Sequence, residues 1–219
     1  MQTATDTHLI EFNGWTMRVR PSQSPNPRLL VMLHGWTGDE NSMWVFARGL
    51  SPDLWIVAPR APQATEPSGF SWRPPQPSTW GKPSLETLLP AAEGLIQLID
   101  GYAASVKVEA GRFDTMGFSQ GAAMVNVLGM LYPNRVRKMG VLAGFVPSGM
   151  EGYVAQRPLA GKNIFVAHGT KDEMVTVKRA RESISLLERA GAVITYCEDD
   201  VGHKLSANCL RALEKYLQD

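Results

Sequence analysis

Ser119 sits between two glycines in Gly117-Phe118-Ser119-Gln120-Gly121, after the short apolar segment 113–116 and before the helix-forming segment 122–125. A strand–turn–helix of this kind lifts a serine hydroxyl onto a sharp turn, where it can attack a carbonyl carbon. The flanking glycines let the turn close without a Cβ clash. A hydroxyl is a weak nucleophile at its own pKa, so the chemistry also needs a neutral base and donors for the oxyanion. A serine in a plain glycine turn gives the same five letters. The remaining residues have to decide between the two.

A base that is neutral near pH 7 means histidine. Of the four histidines, His8 has no motif around it, while His34 and His168 each precede a glycine at a strand end, which suits a tight turn. His203, in Val201-Gly202-His203-Lys204, falls between the last strand and the last helix. In a doubly wound sheet that loop opens at the carboxyl edge, as does the turn at Ser119. His203 is therefore the base by elimination and by position. The order serine, acid, histidine puts the acid between them. Asp172, just after the strand segment 164–167, leads, with Glu173, Asp199 and Asp200 left open. The acid would hold the His203 tautomer and stabilise the imidazolium. The expected oxyanion donors are the backbone N–H groups of Gln120 and of Trp36, the latter in the glycine-rich loop 34–39.

Positioning these groups requires a sheet whose strands end together. Short apolar segments alternate with longer amphipathic ones, which predicts an α/β fold with a mainly parallel sheet flanked by helices. Segments 10–12 and 15–19, joined at Asn13-Gly14, read as a hairpin. Strands are expected at 29–33, 54–58, 113–118, 141–145, 164–167 and 193–197, and helices at 41–50, 84–102, 122–132, 177–190 and 207–217. Ser84 is the expected N-cap of its helix, and Gly191 and Pro133 are stops. Segment 59–83 is rich in proline, carries Phe70, Trp72 and Trp80, and shows no period. Long irregular loops of this kind are often functional. Trp36, Phe70, Trp72, Trp80 and Phe145 are the candidates for an apolar substrate pocket, core packing being the competing role of each.

The 219 residues are read as one domain, with 22 basic and 21 acidic side chains and no basic block, so nothing favours nucleic acid. No apolar run is long enough to span a bilayer, and the first residues lack the basic and apolar regions of a signal peptide, so a cytoplasmic protein is expected. Cys197 and Cys209 form no metal-binding pattern. They are expected to be free, packed thiols in a reducing compartment, a disulfide between them staying open. No metal or other cofactor is called for, and oligomeric state is not readable.

The motif Gly117-Phe118-Ser119-Gln120-Gly121-Ala122-Ala123, the His34-Gly35-x-x-Gly38-Asp39 loop, Pro59-x-Ala61-Pro62, His168-Gly169-x-x-Asp172-x-x-Val175 and Gly202-His203 resemble the carboxylesterase/acyl-protein thioesterase family. This family of small α/β-hydrolases is also called the phospholipase/carboxylesterase group, and the resemblance runs from about Leu30 onward. It implies an α/β-hydrolase fold with little or no lid, the triad Ser119, Asp172 and His203, oxyanion donors at Trp36 and Gln120, and no cofactor. It implies a small-molecule carboxylic or thio-ester as substrate. Two positions depart from the family pattern: Trp36, where a small aliphatic residue is more usual, and Arg73-Pro74-Pro75 after Trp72. The expected function is a serine carboxylester hydrolase for short- to medium-chain acyl esters, the bulk of Trp36 opposing long chains. The alternatives are an acyl-protein or acyl-CoA thioesterase or lysophospholipase, and a non-catalytic small-molecule binder on the same fold.

Overall fold

A computed structural model describes residues 7–76 and 82–218. The chain opens with an antiparallel pair, β1 (His8–Phe12) and β2 (Trp15–Arg20). Asn13 and Gly14 both adopt positive φ, 49° and 80°, the geometry of a two-residue turn whose twist matches its strands. The strands β3 (Arg28–Leu33), β4 (Leu54–Pro59), β7 (Phe113–Phe118), β8 (Val136–Leu142), β9 (Asn163–Gly169) and β10 (Val193–Asp199) complete one eight-stranded sheet in the order β1-β2-β4-β3-β7-β8-β9-β10. From β4 to β10 every pairing is parallel. Between β4 and β7 the chain forms a separate two-stranded hairpin, β5 (Gln63–Ala64) with β6 (Phe70–Ser71), inside the proline-rich segment.

Both faces of the sheet are apolar because helices cover both. One face packs against α1 (Leu85–Val106), α2 (Gln120–Leu131), α3 (Glu151–Ala155) and α4 (Val177–Arg189), through residues such as Leu95, Met124, Val154 and Leu187. The other face packs against α5 (Ala207–Gln218) and the turn Ser42–Phe46, through Leu213, Leu217 and Met43. Ser84 caps α1: its side chain accepts from Thr87 N–H, and Thr87 reaches back to Ser84 N–H. The chain leaves β3 toward β4 on one side and returns to β7 on the other. That reversal of strand order opens a crevice at the carboxyl ends of β3 and β7, the usual place for a ligand in such sheets.

Three expectations are corrected. The helix expected over 41–50 is a short 3-10 turn, Ser42–Phe46. The strand expected at 141–145 runs Val136–Leu142 instead, because Arg137 bridges to the buried Asp114 on β7 and so brings a polar stretch into the sheet, while Ala143 leaves it at φ 46°. Cys197 and Cys209 are not free thiols. They are disulfide-bonded, the packing of α5 beside β10 bringing their Cα atoms to 5.6 Å.

Candidate active site

Ser119 stands at the end of β7 and heads α2, with φ 55° and ψ −113°. A non-glycine residue rarely adopts such angles, and their cost is borne by the surrounding structure. That support is visible: Ser119 N–H donates to Leu142 O at 2.9 Å, and Ser119 O accepts from the N–H groups of Ala122 and Ala123. The flanking glycines are sterically required. A Cβ at Gly121 would collide with the carbonyls of Leu33 and His34, and one at Gly117 with the Gly121 carbonyl.

At the same sheet edge, Asp172 Oδ2 lies 2.6 Å from His203 Nδ1. The other oxygen, Oδ1, accepts from Met174 N–H at 2.9 Å and Val175 N–H at 2.8 Å. This carboxylate is fully buried, and its oxygens can only accept from a neutral ring, so in the neutral His203 imidazole the hydrogen facing Oδ2 sits on Nδ1 and the Nε2 lone pair is left free. His168 packs behind this pair. Its Nε2 donates to Val175 O at 2.7 Å and lies 3.5 Å from Asp172 Oδ2. The His203 ring rests on Phe118, centroids 4.8 Å apart. Its loop is tied to the Asp172 loop by Thr170 N–H to Asp199 O and Lys171 N–H to Val201 O. The other carboxylates engage elsewhere: Asp199 accepts from Ser206 Oγ, Asp200 pairs with Lys171, and Glu173 is exposed. Among the described residues no hydrogen bond joins Ser119 Oγ to His203, a contact that often tightens only when substrate binds.

The loop after β3 is stitched to β6 by Thr37 N–H to Phe70 O and Phe70 N–H to Gly38 O. His34 is buried there. Its Nε2 accepts from Ala61 N–H at 3.0 Å, so its proton sits on Nδ1, which donates to Gly35 O at 2.7 Å. Burial lowers the His34 pKa below its ordinary value. Gln120 opens α2, where the first N–H groups have no partner within the helix.

Ser119, Gln120, Trp36 and Phe145 line one cavity of about 60 Å³ together with Arg73, Pro83, Met174 and Val175. Trp72 does not line it. This side chain is 1 % exposed, donates through Nε1 to His34 O and packs on the His34 ring, because the bend after β6 turns it into the core. Phe70 does not line it either; its ring lies under the Arg60 guanidinium. Trp80 lies outside the described residues. Sequence reasoning missed Met174, Val175 and Pro83 as wall residues and missed the Gln120 side chain. The Gln120 amide clamps the neighbouring segment, with Oε1 accepting from Trp72 N–H at 2.9 Å and Nε2 donating to Ser71 Oγ at 3.1 Å. The only signal for it was a polar side chain directly after the serine.

A larger cavity, of about 710 Å³, opens at the opposite sheet edge beside Arg20, Arg28 and Leu54; its lining includes Ser51 and Asp53 but no histidine among the described residues. Cys197, Asp199 and Cys209 bring potential metal-ligand atoms within 4.8 Å, but the sulfurs are bonded to each other. No helix among the described residues is long and apolar enough to cross a membrane.

The family model for Phospholipase/Carboxylesterase matches residues 16–219. Among curated relatives, carboxylesterase SOBER1 of Arabidopsis thaliana is 30 % identical over 105 residues, 47 % of this chain and 46 % of that protein. The chain thus spans just under half of that relative's length. Acyl-protein thioesterase 1 of Yarrowia lipolytica is 27 % identical over 173 residues, 71 % of this chain and 74 % of that protein. A carboxylesterase structure from Mesorhizobium loti superposes with a TM-score of 0.81 at 21 % identity, covering 97 % of this chain and 99 % of that one. The Bacillus cereus carboxylesterase superposes at 0.80 with 22 % identity and 94 % of each chain. These two likenesses establish the fold. With the family match running from β2 onward, the chain belongs to the phospholipase/carboxylesterase family of α/β-hydrolases.

Proposed function

We propose that this protein is a serine carboxylester hydrolase for short- to medium-chain acyl esters. Ser119 attacks the ester carbonyl while His203 Nε2 takes its proton and Asp172 steadies the imidazolium. The N–H groups of Gln120 and Trp36 receive the oxyanion, each such donor contributing on the order of 3 kcal/mol to the transition state. The alcohol leaves with the proton from His203, and water then releases the acyl group by the same steps. The observation that carries this reading is Ser119 held at φ 55° on the sheet edge where His203 is bonded to Asp172.

The small size of the cavity, about 60 Å³, supports a preference for short to medium over long acyl chains. Hydrolysis of nitrophenyl esters of rising acyl length tests it. The expected optimum lies at short to medium chains, and an optimum at palmitoyl length contradicts the proposal. The thioesterase reading is favoured by the Yarrowia relative's name, and matched oxygen esters and thioesters of one acyl group separate the two. The expectation of a cytoplasmic protein turns on the Cys197–Cys209 pair. A thiol count on protein from its native cells, two free thiols for a reducing compartment and none for an oxidising one, decides it.

A further inference from the structure

Beyond Ser119 and Gln120, the wall of the cavity they line is apolar with one charged residue among those described. Trp36, Pro83, Phe145, Met174 and Val175 supply carbon surface, and Arg73 supplies a formal positive charge. No acid lines this cavity among the described residues. Arg73 is 6 % exposed, so its guanidinium is held largely out of water.

Arg73 is placed there by the residue that follows the nucleophile. Gln120 Oε1 accepts from Trp72 N–H and Gln120 Nε2 donates to Ser71 Oγ. Ser71 Oγ in turn donates to Arg73 O at 2.7 Å and accepts from Arg73 N–H at 3.2 Å. The backbone of Arg73 is therefore fixed relative to Ser119 by a chain of buried hydrogen bonds. A second guanidinium lies behind the wall: Arg179 stacks on the Phe145 ring, 3.4 Å from its centroid, with Glu182 on the same helix offsetting part of its charge. Burial pushes both guanidinium groups below their usual pKa. The positive field in the cavity is screened little by water, so an anion within reach interacts strongly with it. A long alkyl chain would instead have to desolvate that charge further without compensation.

We infer that the site is built for esters whose short acyl chain carries a carboxylate, with Arg73 as the specificity-determining residue that receives it. A guanidinium suits this task because its planar fork can donate two parallel N–H···O bonds to one carboxylate. The inference deepens the esterase reading and rests on it.

The test compares monoethyl glutarate with ethyl valerate, which share a five-carbon acyl chain and an ethanol leaving group and differ in the terminal charge. For the unaltered protein, kcat/KM is expected to be about tenfold or more higher on the glutarate monoester. Arg73→Gln should lower the ratio of the two rates by about tenfold or more, chiefly through KM of the anionic ester, and Arg73→Lys should give an intermediate ratio. Free glutarate should inhibit the unaltered protein competitively, less so as salt is raised. A preference for ethyl valerate, or no inhibition by glutarate, overturns the inference even if Arg73→Gln fails to fold. A ratio unchanged in a folded Arg73→Gln removes Arg73 from the role. Labelling of Ser119 by a fluorophosphonate keeps the two levels apart. A labelled protein indifferent to the carboxylate sinks only the inference, whereas an unlabelled folded protein sinks the esterase reading beneath it.

Discussion

Asp172 divides its two oxygens between two tasks: Oδ2 holds His203, and Oδ1 is pinned by the N–H groups of Met174 and Val175. Asp172→Asn keeps the shape but removes the charge that fixes the His203 tautomer, so kcat should fall by on the order of 10⁴-fold. A loss below tenfold in ester hydrolysis would take Asp172 out of the mechanism. His34 gives a pH prediction of a different kind. Burial is the largest cause of its lowered pKa, outweighing the Gly35 hydrogen bond and the nearby Asp39 and Glu40, and its Nε2 must stay bare to accept from Ala61 N–H. Above about pH 6.5 the imidazole is neutral both folded and unfolded. As pH falls below that value the unfolded chain takes up a proton first, and stability drops by up to about 1.4 kcal/mol per pH unit until the folded His34 also titrates. Denaturant unfolding between pH 7 and 5 should show this slope, and His34→Gln should flatten it.

At the scale of elements, the loop carrying His203 is the one most constrained by covalent chemistry. The Cys197–Cys209 bridge ties the end of β10 to the first turn of α5 across a separation of 12 residues, with His203 inside the closed loop. Closing a loop of this size removes about 3 kcal/mol of unfolded-chain freedom. The Cys197→Ala/Cys209→Ala double variant should therefore melt roughly 6–12 °C lower. An unchanged melting temperature would mean that the bridge does not constrain the loop. Legibility follows the range of the interactions. The turn at Ser119 could be read from sequence because five adjacent residues make it, and the Asn13-Gly14 hairpin because its signal is two residues long. The disulfide, the Arg137–Asp114 pairing that starts β8 early, and the Gln120 clamp on residues 71–72 join positions far apart in sequence or depend on packing direction. Spacing alone does not encode them.

On the scale of the molecule, the strand order explains why the chemistry gathers where it does. The oxyanion-loop candidate follows β3, the serine turn follows β7, and Asp172 and His203 follow β9 and β10, so a parallel sheet brings all four to one edge. Sequence order with strand polarity was enough to read that. Which aromatic faces the cavity was not legible: Trp72 and Phe70 lie in the same short segment as Arg73, yet only Arg73 lines it. Alternation along an irregular segment cannot be read without its register against Gln120. The central claim is that this edge activates Ser119 as a nucleophile, and labelling by a fluorophosphonate followed by peptide mass analysis tests it most directly. One adduct on Ser119, lost in Ser119→Ala and strongly slowed in His203→Ala, is the predicted result. A folded protein that stays unlabelled, or that is labelled equally well without His203, would contradict it.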